Sequence, residues 1–353
     1  MSRGHTPTDV VVLGSGPTAA LVALELARAG KRTVVLAAPD AGERVLGHVP
    51  SGPPLPYVDA VRHWGRAAAG ELWTLQHRAH AALRDEWGQA CDLRSAGGFT
   101  LATSRPEALA LAESEDLLRD DGFVGEFLDG YMLEARFAVR GFAAGYWAEG
   151  EAELDAFVLT RAARAAAVAA GAVFLERAGR AEASRRGVRV ATPEGEVSAP
   201  VAVLASVADA PEEALAGRVE IRLGRGIDLP AREAAPVPSP AQVRGSAARW
   251  TAAGGRLHLV VVGGGDPAAF AAEHLPERAD PGETSGNFPQ GVSRDGLPWI
   301  GPVPGLPVFL ALGGTADLAG EPLLSRWAVS DLLTGRDATP APLRAARPAS
   351  DML

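Results

Sequence analysis

The spacing of apolar residues changes period twice within the first forty positions. Residues 9–13 (DVVVL) form a short β-branched apolar run, the pattern of a strand buried on both faces. A glycine turn follows, and residues 18–29 then space their apolar side chains as a helix stopped by Gly30. Residues 32–36 (RTVVL) read as a second strand, so the chain opens on a compact βαβ unit. Residues 48–57 (HVPSGPPLPY) are too rich in proline for a helix or a central strand.

Helical spacing returns over residues 61–87, gives way to a strand at 98–102 and resumes over 105–121. An Ala-rich helix at 159–170 ends at Gly171, and a strand at 172–176 follows. Residues 187–191 and 197–205 resemble a hairpin leading into a buried strand. Further strands are expected at 219–227 and 256–263, separated by a Pro-rich link at 236–240. A strand at 308–312 and a helix at 323–333 come last, and from Arg336 the Pro/Ala-rich chain is expected to be a disordered tail. No internal repeat is visible.

Composition narrows the partners. A chain of 353 residues, 47% hydrophobic and 22% charged, suits a well-cored protein of two joined domains, or one large α/β domain with an insertion. No apolar run reaches membrane-span length and no signal-peptide core precedes the first strand, so a cytoplasmic protein is expected. The single cysteine, Cys91, excludes an intrachain disulfide and cysteine-based iron–sulfur or structural zinc sites. A formal charge of −9 gives no support for nucleic acid or anionic membrane as partners.

The opening turn, Gly14-Ser15-Gly16-Pro17-Thr18-Ala19, carries specific chemistry. Gly14 permits the strand-to-helix turn, Gly16 lets the backbone approach a pyrophosphate, and Ala19 and Ala23 keep helix and strand close. Phosphates would sit on the unpaired N–H groups at the helix start, where the macrodipole favours negative charge. The alternative is a tight βα turn that binds nothing. An acidic residue that holds the ribose should fall near Ala37, which has no such group. Asp40, just beyond, reaches the ribose only if its loop folds back; otherwise it is a solvated carboxylate.

The glycine turn travels with a distant C-terminal motif, Asp295-Gly296-Leu297-Pro298-Trp299-Ile300-Gly301-Pro302. Together the two resemble the FAD-dependent D-amino-acid oxidase superfamily, which includes glycine and sarcosine oxidases. Weaker matches lie between them, at Glu153-Leu154-Asp155-Ala156-Phe157-Val158-Leu159, at Arg225-Gly226 and at Val261-Val262-Gly263-Gly264-Gly265. The resemblance implies an α/β fold: a Rossmann-type FAD-binding domain and a second, mainly antiparallel β-sheet domain that roofs the flavin. It implies a discontinuous FAD domain from residues 1–80, 150–215 and 290–340, and a substrate domain from 81–149 and 216–289. The implied reaction removes hydride from a carbon next to an amine, giving an imine, with FAD as cofactor. The implied partner is a small amine or amino-acid-like molecule, and a homo-oligomer or partner subunit is compatible with the same resemblance.

Carried over residue by residue, Gly14, Ser15, Gly16, Pro17, Thr18 and Ala19 would hold the pyrophosphate. Ala205 and Ser206 would border the flavin, and Gly313, Gly314, Thr315 and Ala316 would approach its pyrimidine end. Four positions depart from the family pattern: Ala37, Val207 for a small glycine, Gly314 for a common histidine, and Gln290 for the arginine that grips a substrate carboxylate. A neutral amide makes only ordinary hydrogen bonds where arginine makes a charge-assisted fork, so a simple free amino acid is disfavoured as substrate. The other reading of Gln290 is a surface loop residue.

His48 lies in the loop that passes the flavin in this family, where it would contact the ring or the substrate, or anchor flavin covalently. Its alternative is an exposed loop histidine. Tyr146 and Trp147 are expected to face the substrate cavity and Tyr131 to precede a roof element, against the plainer reading of core aromatics. His77 and His80 share a helix face but lack a third ligand, so no metal is expected. Two further function classes compete: a flavin-poor relative acting as a binding or structural subunit, motivated by Ala37 and Val207, and an NAD(P)-dependent dehydrogenase. The latter leaves the Asp295–Pro302 motif without a role.

Overall fold

The computed structural model describes residues 8–37, 46–177, 180–206, 212–215, 219–230, 236–244, 248–278, 284–293, 295–312 and 321–344. Two large sheets organise them. The first has six strands in the order Trp299–Pro302, Val308–Leu312, Val201–Leu204, Val10–Leu13 (β1), Thr33–Ala37 (β2) and Val173–Glu176. All neighbours are parallel except the edge pair of Trp299–Pro302 with Val308–Leu312.

β1 lies inside this sheet, and its side chains alternate between two cores. Val10 and Val12 pack with Ala19 and Ala23 of the helix Pro17–Arg28 (α1). Val11 and Leu13 pack with Val188, Val190 and Val197 of a three-stranded antiparallel meander on the other face. Burial on both faces is why β1 is an unbroken apolar run rather than an alternating one.

The second sheet has eight strands, in the order Thr284–Ser293, Val219–Pro230, Arg256–Val262, Ala248–Ala253, Ala241–Val243, Gly98–Ala102, Ala144–Ala148 and Gly125–Asp129. It is antiparallel throughout except where Ala241–Val243 runs parallel to Gly98–Ala102. One face buries Phe99, Leu101, Trp250, Leu257 and Leu259. The opposite face looks across a cavity at the 50–56 loop and the helices Tyr57–Trp64 and Arg66–Trp87. The mixed α/β architecture with a second, mainly antiparallel sheet is therefore as expected.

Two expectations are corrected. The helix expected over 61–87 is two helices, broken at Gly65, whose φ of +84° is a conformation side-chain-bearing residues avoid. The first begins at Tyr57, directly after Pro56, inside the segment expected to be irregular. The tail expected to be disordered from Arg336 is held as far as Arg344. The Asp331 carboxylate accepts from the Ala338 and Thr339 backbone N–H groups at 2.5 and 3.2 Å, and Leu343 of the turn Ala341–Leu343 is buried. Among the described residues no helix is long and apolar enough to cross a membrane.

Candidate active site

The glycine turn is shaped by close approach. Gly14 has φ +148°, and a Cβ there would stand 3.2 Å from each of Ala19 Cβ, the Ala205 carbonyl carbon and Ser206 Cβ. Its N–H donates to Leu36 O at 3.1 Å, while the Ala205 N–H donates to Leu13 O at 2.9 Å. The structure thus brings Ala205 and Ser206 against the turn. Gly16 occupies the N-cap of α1 in extended backbone with no side-chain cap, Pro17 begins the helix, and the first turn holds no acid. A helix start with no side-chain cap, beside a glycine whose missing Cβ leaves the backbone open, fits a pyrophosphate. Ala37 ends β2 opposite Glu176, with no acid of its own. Asp40, Val207, Gly313, Gly314, Thr315 and Ala316 lie outside the described residues.

A cavity of about 680 Å³ lies between the 50–56 loop and the second sheet. Sheet register builds its roof: Tyr146 pairs with Thr100, Thr100 with Gln242, and Gln242 with Arg249, all bordering the cavity. Trp147, next along its strand, points the other way, and its indole N–H donates to Ala96 O at 3.4 Å; only Tyr146 of this pair faces the cavity. Burial pushes the Tyr146 phenol up, reinforced by Glu115 and Glu151, so it stays protonated. Tyr131 lies at the surface, 83% exposed.

Gln290 borders the cavity and is buried; its Oε1 has no hydrogen-bond partner among the described residues. It is therefore no surface loop residue. Directly across the ladder from it stands Arg222, also at the cavity, whose guanidinium forks onto Glu220 at 3.1 and 3.1 Å. Arg244 and Arg249 border the same space. Burial pulls the Arg244 guanidinium below its ordinary value, and Asp59, 3.4 Å away, opposes that. None of these arginines stands out in sequence; strand alternation places them only once the register is known.

His48 is fully buried and does not border the cavity. Its Nε2–H donates to Glu151 Oε2 at 2.8 Å, and Nδ1 has no partner among the described residues. Ser51 Oγ–H donates to Glu151 Oε1 at 3.4 Å. Glu151 does border the cavity, a carboxylate that sequence reasoning missed. Backbone spacing makes the contact possible: a Cβ on Gly47 would lie 1.7 Å from Leu154 O, and one on Gly98 2.4 Å from Glu151 Oε2. No group of metal-binding side chains occurs among the described residues. His80 instead hydrogen-bonds Gly150 O and Ser95 Oγ, each at 3.1 Å.

A mostly parallel sheet with a glycine turn on an inner strand, together with an antiparallel sheet that walls a cavity, is an arrangement that fits a nucleotide-binding protein. The chain belongs to the family of FAD-dependent oxidoreductases, whose model matches residues 9–334, and its cofactor is FAD. That span covers the C-terminal motif an NAD(P)-dependent dehydrogenase leaves unexplained. The fold is similar to glycine oxidase from Geobacillus kaustophilus, with TM-score 0.73, 21% identity, and 96% of this chain and 98% of that chain covered. It is similar also to NikD, described as an unusual amino acid oxidase essential for nikkomycin biosynthesis, with TM-score 0.71, 18% identity and 98% of each chain covered. Iminodiacetate oxidase from Chelativorans sp. BNC1 has TM-score 0.70 and 18% identity, with 97% of this chain and 100% of that chain covered. A comparison with curated proteins found no match.

Proposed function

We propose that this protein oxidises the C–N bond of a small amine that also carries an acidic group, giving an imine that hydrolyses to a carbonyl compound. The observation that carries this reading is the mixed charge of one cavity: Glu151 borders it together with Arg222, Arg244 and Arg249. FAD, when bound, supplies the two-electron acceptor; the protein supplies orientation and charge. Fold neighbours named for glycine, iminodiacetate and amino acid oxidation support the amine class.

The arginines alter the inference drawn from Gln290 alone. Position 290 offers a neutral amide, but its cross-strand partner Arg222 puts a guanidinium on the same wall. Glu220 occupies Nε and Nη2, leaving Nη1 without a hydrogen bond among the described residues. That nitrogen can receive one carboxylate oxygen. We assign the pyrophosphate to Gly14–Ala19, the neighbourhood of the flavin to Ala205 and Ser206, the substrate anion to Arg222 beside Gln290, and a wall of the pocket to Tyr146. A cytoplasmic setting goes with this reading, since the one cysteine is a free, buried thiol.

The test is aerobic incubation of FAD-loaded protein with sarcosine, iminodiacetate, larger N-substituted amino acids and plain amines, followed by carbonyl detection. Carbonyl formed in step with amine loss supports the proposal. No product from any of them returns the chain to the non-catalytic alternative.

A further inference from the structure

The groups on the cavity wall differ in how they are committed. Arg222 is forked onto Glu220, and Arg244 leans on Asp59. Glu151 is 3% exposed, yet among the described residues its carboxylate receives two hydrogen bonds, one of them long: His48 Nε2–H at 2.8 Å on Oε2 and Ser51 Oγ–H at 3.4 Å on Oε1. A carboxylate offers about four lone-pair positions. Two therefore remain on a buried anion that borders an open cavity. A buried carboxylate without full compensation is costly, and a cationic ligand in the cavity would supply the compensation. A second acceptor on this wall is also incomplete: Gln290 Oε1 is buried and has no partner among the described residues. The ligand must therefore bring hydrogen-bond donors, and a cationic N–H is the donor that a carboxylate binds most strongly.

Three further features shape the Glu151 position. Gly98 has no Cβ where one would press on Oε2 at 2.4 Å, so the neighbouring strand makes room for the carboxylate. His48 is held in place by the pairing of His48–Val49 with Ala152–Glu153, which fixes its Nε2 on Glu151. Tyr146, whose phenol feels the Glu151 charge, also borders the cavity and offers an aromatic ring to a cation.

We propose that Glu151 receives the cationic amino group of the substrate and takes one N–H proton from it, with His48 as the positioning residue. The step balances simply: an ammonium N–H bond breaks, an O–H bond forms on Glu151, and a neutral amine and a neutral carboxyl result. The neutral amine is the form whose nitrogen lone pair assists loss of hydride from the adjacent carbon. Glu151 thereby selects amines over their oxygen counterparts, while the arginines select the anion. This inference rests on the amine-oxidation reading above.

The test uses FAD-loaded protein, chemically reduced under nitrogen so that binding is read without turnover. Calorimetry compares three matched pairs, each differing only in N against O at one position: iminodiacetate with diglycolate, sarcosine with methoxyacetate, and benzylamine with benzyl alcohol. In at least one pair the amine should bind about ten- to a hundredfold more tightly, the range of a charge-assisted hydrogen bond. In Glu151→Gln that preference should shrink to about threefold or less, with binding of the oxygen member unchanged. If Glu151→Gln does not load FAD, Glu151→Asp, which keeps a carboxylate for His48, should lose the preference severalfold. No preference in any pair, or a preference that survives in the variant, overturns the proposal. Failure of the broader reading is separately visible: oxidised wild-type protein would bind an amine preferentially and its flavin would never bleach.

Discussion

Replacing Gly14 by alanine adds one carbon at the tightest point of the nucleotide turn. That carbon would stand 3.2 Å from Ala19 Cβ, the Ala205 carbonyl carbon and Ser206 Cβ. None of these atoms can rotate aside, because each moves only with its own backbone. The φ of +148° adds strain of about 1–3 kcal/mol for a residue with a side chain. Crowding adds about 1 kcal/mol, giving roughly 2–4 kcal/mol of the 5–15 kcal/mol typical of a folded domain. Relief comes by moving α1 outward, and with it the N–H groups that would hold the pyrophosphate. If half of the cost falls on binding, FAD affinity drops about five- to thirtyfold, at roughly 1.4 kcal/mol per factor of ten. FAD titration of the apoprotein measures that part, and urea unfolding of the apoprotein measures the rest. A Gly14→Ala/Ala19→Gly double variant removes one opposing carbon and should recover part of both. A single variant that binds FAD as tightly as wild type and unfolds at the same urea concentration would refute the reasoning.

Tyr57→Phe removes a hydroxyl that donates to Asp121 at 2.5 Å, and should cost about 1–3 kcal/mol in urea unfolding; an unchanged midpoint contradicts that contact. The Cys91 thiol is pushed up to about 11, chiefly by burial and then by Asp92, so native protein near neutral pH should resist thiol reagents and release one reactive thiol on unfolding. Burial lowers His77 and His80 from their ordinary 6.5, so the unfolded chain takes up protons first as pH falls. Their contribution to stability is full above pH 6.5 and declines as pH drops toward their folded values. His80→Gln should therefore flatten the acid side of the stability curve, and an equally steep curve would rule this out.

What could be read from sequence follows from how each element is buried. β1 and β2 are apolar on both faces, so their runs need no partner to be recognised, and the glycine turn between them is local chemistry. The roof is different. Ala144–Ala148 (AGYWA) is short and, apart from its two aromatics, small-sided, and becomes a strand through Gly98–Ala102 and Gly125–Asp129, while Ala248–Ala253 (ARWTAA) is held by the hairpin it forms with Arg256–Val262 across Gly254-Gly255. Gly65 breaks a helix because it takes a positive φ, which residue spacing does not reveal. Gln290 was reachable by counting back from Asp295, but Arg222 gains meaning only from a register linking strands far apart in sequence. Glu151 follows a glycine between two short strands, and nothing in its neighbourhood announces a buried carboxylate. Composition misleads for residues 336–344: Pro and Ala suggest disorder, while one carboxylate and one buried leucine hold this stretch.

The most direct test of the central claim, that this cavity delivers electrons from amines to FAD, is the visible spectrum of the FAD-loaded protein under nitrogen as amines are added singly. The account predicts that an amine bearing an acidic group bleaches the oxidised flavin band, and that its oxygen counterpart leaves the band intact. A fully loaded flavin that stays oxidised with every amine, yet bleaches with dithionite, would contradict it.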